Sequence, residues 1–139
     1  MFVDELHTVT VPPNLWRLTA VLPWRDHVFG AVDFPAGTVT DLGSTPQRLR
    51  RFESFDPTRT ARRSSVGHDC LYQTARWPDG RPCTRAEADY FLYVAMLAEG
   101  HSKALAWAWW VGVRSGGWRA WSDYRKAEAD AAGLISGSD

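Results

Sequence analysis

The reading turns on one stretch, Gly67-His68-Asp69-Cys70-Leu71-Tyr72. Ionisable and aromatic side chains crowd a single turn here. Read as a helix, the stretch sets His68 and Tyr72 four residues apart on one face, with Asp69 rotated by about 100° from His68. A second helix is expected from Thr84, because Thr84-Arg85-Ala86-Glu87 is a capping box: Thr84 at the N-cap and Glu87 reaching back from N3. Ala88, Phe91, Leu92, Ala95 and Met96 recur at helical spacing along it, and Gly100 is a C-terminal stop. Asp89 lies beside this apolar stripe, where a carboxylate is expensive to bury without a partner. We therefore expect Asp89 to meet His68 on an antiparallel neighbour. A carboxylate on one ring nitrogen fixes the tautomer and leaves the other for a proton, a water or a metal. The plainer alternative is a buried His–Asp bond that only ties two helices together.

Working outward, Ala61, Ser65, Val66, Cys70 and Leu71 give the first helix a modest inner stripe, with its start expected near Asp56 or Thr58 and its end near Thr74. Gly67 costs such a helix about 1 kcal/mol relative to Ala, which implies close packing or access at the His68 turn. Trp77-Pro78-Asp79-Gly80-Arg81-Pro82 reads as a loop. Ser102 can cap a third helix to about Arg114, with Leu105, Trp109 and Val113 along one side. Gly116-Gly117 breaks it, and Trp118, Trp121 and Tyr124 continue in a further short helix. Gly133 to Asp139 is small and polar, expected to fray.

The first forty residues read as short strands. Leu15 to Leu22 partly alternates, Pro23-Trp24-Arg25-Asp26 is a plausible turn, and His27 to Val32 is the return strand. Phe34-Pro35-Ala36-Gly37 punctuates a second turn before a brief strand, Thr38-Val39-Thr40. His7 and His27 are expected to be surface or strand histidines rather than ligands. The loop Asp41-Leu42-Gly43-Ser44-Thr45-Pro46 follows, and a polar loop after a strand is a usual home for site residues. Asp41 and Ser44 are its candidates, against the reading of a plain connector.

The expected fold is α+β. A small antiparallel β meander at the N-terminus (about 6–41) precedes a three- to four-helix C-terminal part (about 57–130) containing an antiparallel helix pair. One domain spans 1–133, with a flexible tail over 134–139.

Composition narrows the function classes. The chain has 139 residues, enough for one hydrophobic core, with sixteen acidic and sixteen basic side chains. Balanced charge argues against nucleic acid and anionic membranes as partners. The acidic start, Met1-Phe2-Val3-Asp4-Glu5, has no apolar signal core, so no secretion signal is expected, and the longest apolar run, Ala104 to Val113, is too short for a transmembrane span. Two cysteines, Cys70 and Cys83, form no disulfide framework and are expected to stay reduced in a cytoplasm. Residues 47–63 hold Arg48, Arg50, Arg51, Arg59, Arg62 and Arg63 against Glu53 and Asp56. This basic patch is either a solvated face or a site for phosphates or an acidic protein surface. Of eight tryptophans, five fall between Trp107 and Trp121, a concentration suited to core and subunit interface.

Several segments together carry a resemblance. They are Pro35-Ala36-Gly37, Thr40-Asp41-Leu42-Gly43-Ser44-Thr45-Pro46, His68-Asp69-Cys70-Leu71-Tyr72, Arg85-Ala86-Glu87-Ala88-Asp89-Tyr90-Phe91 and Gly117-Trp118. As an ordered set over about 30–121 they resemble an uncharacterised domain family of tailed-phage and prophage genomes. That resemblance implies a virion-associated protein of tail, baseplate or neck, assembled in the host cytoplasm, whose partners are other phage structural proteins or further copies of itself. The helix pair also looks like the core of secreted phospholipase A-two. That likeness implies His68 as general base on water, Asp89 as its orienting acid, and Asp69 with Asp41 holding a metal, calcium or zinc. Asp41, Ser44 and Tyr72 would then lie beside the substrate, an ester or amide of the cell envelope. No cofactor is fixed by the sequence.

Overall fold

The computed structural model describes residues 1–11, 15–40 and 61–136, the side chains of 134–136 aside. The fold is α+β: among the described residues, an antiparallel β meander of five strands in two sheets is followed by four helices. Strands β1 (Thr8–Val11), β2 (Leu15–Leu18) and β5 (Val39–Thr40) form one sheet in the order β1-β2-β5, with Thr8 opposite Leu18 and Trp16 opposite Thr40. Strands β3 (Leu22–Asp26) and β4 (Gly30–Phe34) form a separate hairpin, with Leu22 opposite Phe34 and Trp24 opposite Val32.

That hairpin corrects the expected register. Pro23-Trp24-Arg25-Asp26 is strand, not turn, and the reversal lies at His27-Val28-Phe29. The Asp26 carboxylate makes the reversal by accepting from the backbone N–H groups of Val28 (3.1 Å) and Phe29 (2.6 Å). Gly30 then takes a left-handed φ of 73°. Burial fixes the register, since Leu22, Trp24, Val32 and Phe34 all face inward, and slipping by one residue would turn the whole set to solvent. The turn at Phe34-Pro35-Ala36-Gly37 forms as expected, with Gly37 at φ 90°.

Helix α1 (Arg62–Thr74) starts later than its pattern suggested. Ala61 is left-handed (φ 57°), so the helix cannot run through from Asp56 or Thr58, which lie outside the described residues. Nine consecutive residues, Ser64 to Tyr72, are buried. A helix enclosed on all sides shows little amphipathic pattern, which explains its modest stripe.

Helix α2 (Arg85–Ala98) keeps the capping box, with Glu87 N–H donating to the Thr84 side chain at 3.1 Å. It ends in a Schellman turn: His101 N–H reaches the Met96 carbonyl, Gly100 N–H the Leu97 carbonyl, and Gly100 has φ 92°. Helix α3 (Lys103–Gly116) starts on Ser102, which accepts from Leu105 N–H. Helix α4 (Trp118–Ser136) has 19 residues and is not short; it continues past Gly133, and residues 137–139 lie outside the described part.

The core gathers around Phe91. Phe34, Trp24, Phe2 and Phe29 each contact its ring at 5.1–6.3 Å between centroids, three of them edge to face near 66–68° and Phe2 at 86°. The ring also explains Gly67. A Cβ there would sit 2.7 Å from Phe91 Cε1 and 3.0 Å from two carbons of Phe34, so the glycine is required for α1 to press against α2 and the hairpin. No helix among the described residues is long and apolar enough to cross a membrane.

Candidate functional site

Asp89 is the centre of the site. It is fully buried on α2, and four side chains converge on its carboxylate. His68 Nε2 lies 2.8 Å from Oδ1, and the Tyr72 hydroxyl donates to the same oxygen at 2.6 Å. Arg114 Nη1 donates to Oδ2 at 2.8 Å and Arg85 Nη1 more weakly at 3.4 Å. Three helices thus meet at one anion: α1 through His68 and Tyr72, α2 through Arg85, and α3 through Arg114. The expected His68–Asp89 contact between neighbouring helices is present.

The local reasons are readable. His68 and Tyr72 share a face of α1, and their rings pack at 4.3 Å between centroids. Arg85 stands four residues before Asp89 on α2, the spacing at which helical side chains meet. Its Nη1 also donates to the carbonyls of Val113 (3.1 Å) and Arg114 (3.3 Å), taking up acceptors at the end of α3. Gly117 opens the space for Tyr72, because a Cβ at 117 would collide with the Tyr72 hydroxyl and the Val113 carbonyl oxygen. Trp121 closes the far side of Tyr72 edge to face, 5.2 Å between centroids.

Electrostatics follow from this geometry. Burial pushes the Asp89 carboxyl up, but the hydrogen bond and charge of His68, with the bonds from Tyr72 and Arg114, outweigh it and hold the group below the usual carboxylate range. Asp89 is therefore ionised and only accepts, so the proton of the His68 contact sits on Nε2. Burial, then the bond to Asp89 and its charge, raise Tyr72 well above the ordinary phenol value. Tyr72 remains a donor at every physiological pH.

Asp69, the proposed metal residue, is held otherwise. It is 7 % exposed, and its Oδ2 accepts from the Thr40 hydroxyl and, at 3.4 Å, from Gln73 Nε2. Gln73 Nε2 also donates to the Val39 carbonyl at 2.6 Å. Asp69 therefore fastens α1 to strand β5. A hard cation wants about six or more oxygen ligands, and among the described residues no group of three His, Cys, Asp or Glu side chains gathers to hold one. The metal expectation pairs Asp69 with Asp41, which is not among those residues. Asp41 and Ser44, the remaining loop candidates, lie outside the described residues.

Of the basic patch, Arg48, Arg50, Arg51 and Arg59 also fall outside the described part. Arg63 is committed internally: Nη1 donates to the Asp4 carbonyl at 3.1 Å, Nε pairs with Glu99 at 3.5 Å, and the guanidinium lies 5.2 Å over the Phe2 ring. Arg62 lines a cleft of about 450 Å³ with Glu5, Leu6, Ala61, Arg63, Glu99 and His101. His7 and His27 are exposed, as expected.

Sequence reasoning missed Arg85, Arg114, Thr40 and Gln73 as partners of the two aspartates. Arg85 had a signal in its four-residue spacing from Asp89. Arg114 had none, because its contact depends on how α3 folds back over α2.

The architecture defines a class: an α+β protein whose helices are tied by one buried, multiply bonded carboxylate. A family model described as "Protein of unknown function (DUF1353)" matches residues 16–113, and the chain belongs to that family. The match takes in β2 through most of α3, including His68, Tyr72, Arg85 and Asp89. Comparison with curated proteins gives no match, and neither does comparison with solved structures.

Proposed function

We propose that the protein is a structural or assembly component of a tailed-phage particle, in its tail, baseplate or neck. In this reading the Asp89 node is an internal clamp. The observation that carries the clamp is burial: His68 is 2 % exposed, Tyr72 3 % and Asp89 0 %, so the bonded oxygens lie in the interior. A buried ion network contributes to which helix meets which rather than to chemistry at the surface. The ordered motif set that resembles a phage and prophage family supports the particle assignment. The test is mass spectrometry of purified particles from a lysogen that encodes the gene. A virion component appears in fixed copy number, and deleting the gene yields incomplete particles. Absence from the particles together with normal particle yield refutes the assignment.

One observation favours a second reading, a small hydrolase related in its helix core to secreted phospholipase A-two. The nitrogen engaged by Asp89 is Nε2, with Tyr72 on the same oxygen. That arrangement orients the imidazole, and an oriented imidazole is the group a general base needs to activate water. Turnover of envelope-type esters or amides that His68→Ala abolishes, with the fold retained, selects this reading. No turnover by the folded wild type rejects it.

A further inference from the structure

A second feature lies away from the Asp89 node and independent of both readings above. Tyr90 and Tyr93 on α2 and Trp107 and Trp110 on α3 line a concave pocket of about 190 Å³. Among the described residues no other lines it, and no polar atom of these four forms its walls. Each helix supplies two rings three residues apart, the spacing that puts both on one face. The Tyr90 and Tyr93 rings stand nearly parallel, 19° apart in plane and 6.2 Å between centroids. Phe29 braces Tyr90 from the hairpin side at 6.0 Å, and the buried Trp109 anchors α3 beneath. The rings are nonetheless open to solvent, Trp107 by 59 % and Tyr90 by 47 %.

This openness contrasts with the other aromatic faces. Arg119 lies 5.2 Å over Trp118, Arg125 4.7 Å over Trp121 and Arg63 5.2 Å over Phe2. The chain thus covers those faces with its own cations. Among the described residues no such cation covers the four rings of the pocket. Arg114, one turn beyond Trp110, is drawn to Asp89 instead. Lys103, one turn before Trp107, is exposed, and its repulsion is screened by solvent and salt.

We propose that this pocket binds a quaternary ammonium group. All four lining side chains are aromatic, and a cation without N–H donors loses little by leaving water for the electron-rich faces of such rings. The absence of polar wall atoms disfavours a primary ammonium, whose N–H groups would go unsatisfied. The volume suits a trimethylammonium head and is below the roughly 300–1,000 Å³ of pockets for drug-sized ligands. A neutral apolar group of the same shape gains the burial without the electrostatic term, so the two are separable by experiment.

The test titrates the intact protein with choline chloride and, in parallel, with its neutral isostere 3,3-dimethylbutan-1-ol, following the tryptophan indole N–H resonances. Choline is expected to bind in the millimolar range and the isostere at least about tenfold more weakly. Trp107→Leu and, separately, Tyr90→Leu should each weaken choline binding about tenfold at unchanged melting temperature. Both side chains are substantially exposed, so these variants fold, and the wild-type comparison stands without them. Equal affinities for choline and its isostere overturn the proposal, as does no choline-dependent shift. Co-sedimentation with phosphatidylcholine vesicles but not phosphatidylglycerol vesicles assigns the group to a lipid headgroup. Choline binding without vesicle binding assigns it to a soluble ligand. Either result supports the pocket chemistry.

Discussion

His68 and Tyr72, one helical turn apart on α1, end on the same oxygen of Asp89, at 2.8 and 2.6 Å. Arg114 and Arg85 occupy the other oxygen. The carboxylate therefore joins two sets of donors: an imidazole and a phenol buried in the core, and two arginines at its margin. Removing the carboxylate leaves all four donors without their shared acceptor. Asp89→Ala should destabilise the fold by about 3–5 kcal/mol, the range for breaking a buried ion network, read as a lowered urea midpoint.

The same contact sets a pH dependence. The folded-state pKa of Asp89 is lowered from the ordinary 3.8. A depressed carboxylate contributes stability that is present above its unfolded pKa and lost as pH falls through the folded one. Stability attributable to Asp89 should therefore be constant from neutral pH to about pH 5 and decline below about pH 4. Asp89→Asn should be less stable at neutral pH and show a shallower acid limb in urea titrations. An acid limb unchanged by the substitution would remove Asp89 as its source.

Two glycines are predicted to resist alanine. In an ordinary helix Gly67→Ala would gain about 1 kcal/mol. Here the new Cβ meets Phe91 at 2.7 Å, and Phe91 is fully buried among rings that cannot give way. Overpacking costs about 1–3 kcal/mol, so the clash should win and lower the melting temperature. Gly117→Ala should do the same by displacing the Tyr72 hydroxyl, and combining it with Tyr72→Phe should recover part of the loss. Thermal melts of the single and double variants decide this.

Both thiols should be inert in the native state. Burial, with the charge of Asp69 nearby, pushes Cys70 up to about 11, although a bond with Thr38 opposes it. Burial and the charges of Glu87 and Asp89 push Cys83 up to about 12. The thiolate is the reactive form, so an aromatic disulfide reagent at pH 8 should label neither cysteine until the protein is unfolded, and then both.

The helical half was legible because its signals are local. The Thr84 capping box, the Gly100 stop and the Ser102 cap each involve residues within five positions of one another, and each forms. The His68–Asp89 contact was readable from cost: a carboxylate beside an apolar stripe needs a partner, and the nearest imidazole lay on the adjacent helix. The hairpin was misplaced by several residues because Pro23 and Asp26 look like turn residues. Burial of Trp24 draws that segment into strand, and the Asp26 carboxylate builds the turn after it. The start of α1 was set by the left-handed Ala61, which no propensity foretells. The Arg114 contact and the Tyr72–Gly117 approach arise only when α3 and α4 fold back, so nothing local announces them.

The central claim is that His68 and Asp89 act as one clamp. A double-mutant cycle with His68→Ala and Asp89→Asn, read by urea denaturation at pH 7, measures their coupling directly. The account predicts an interaction energy of about 1–3 kcal/mol. Additive effects within about 0.3–0.5 kcal/mol would contradict it.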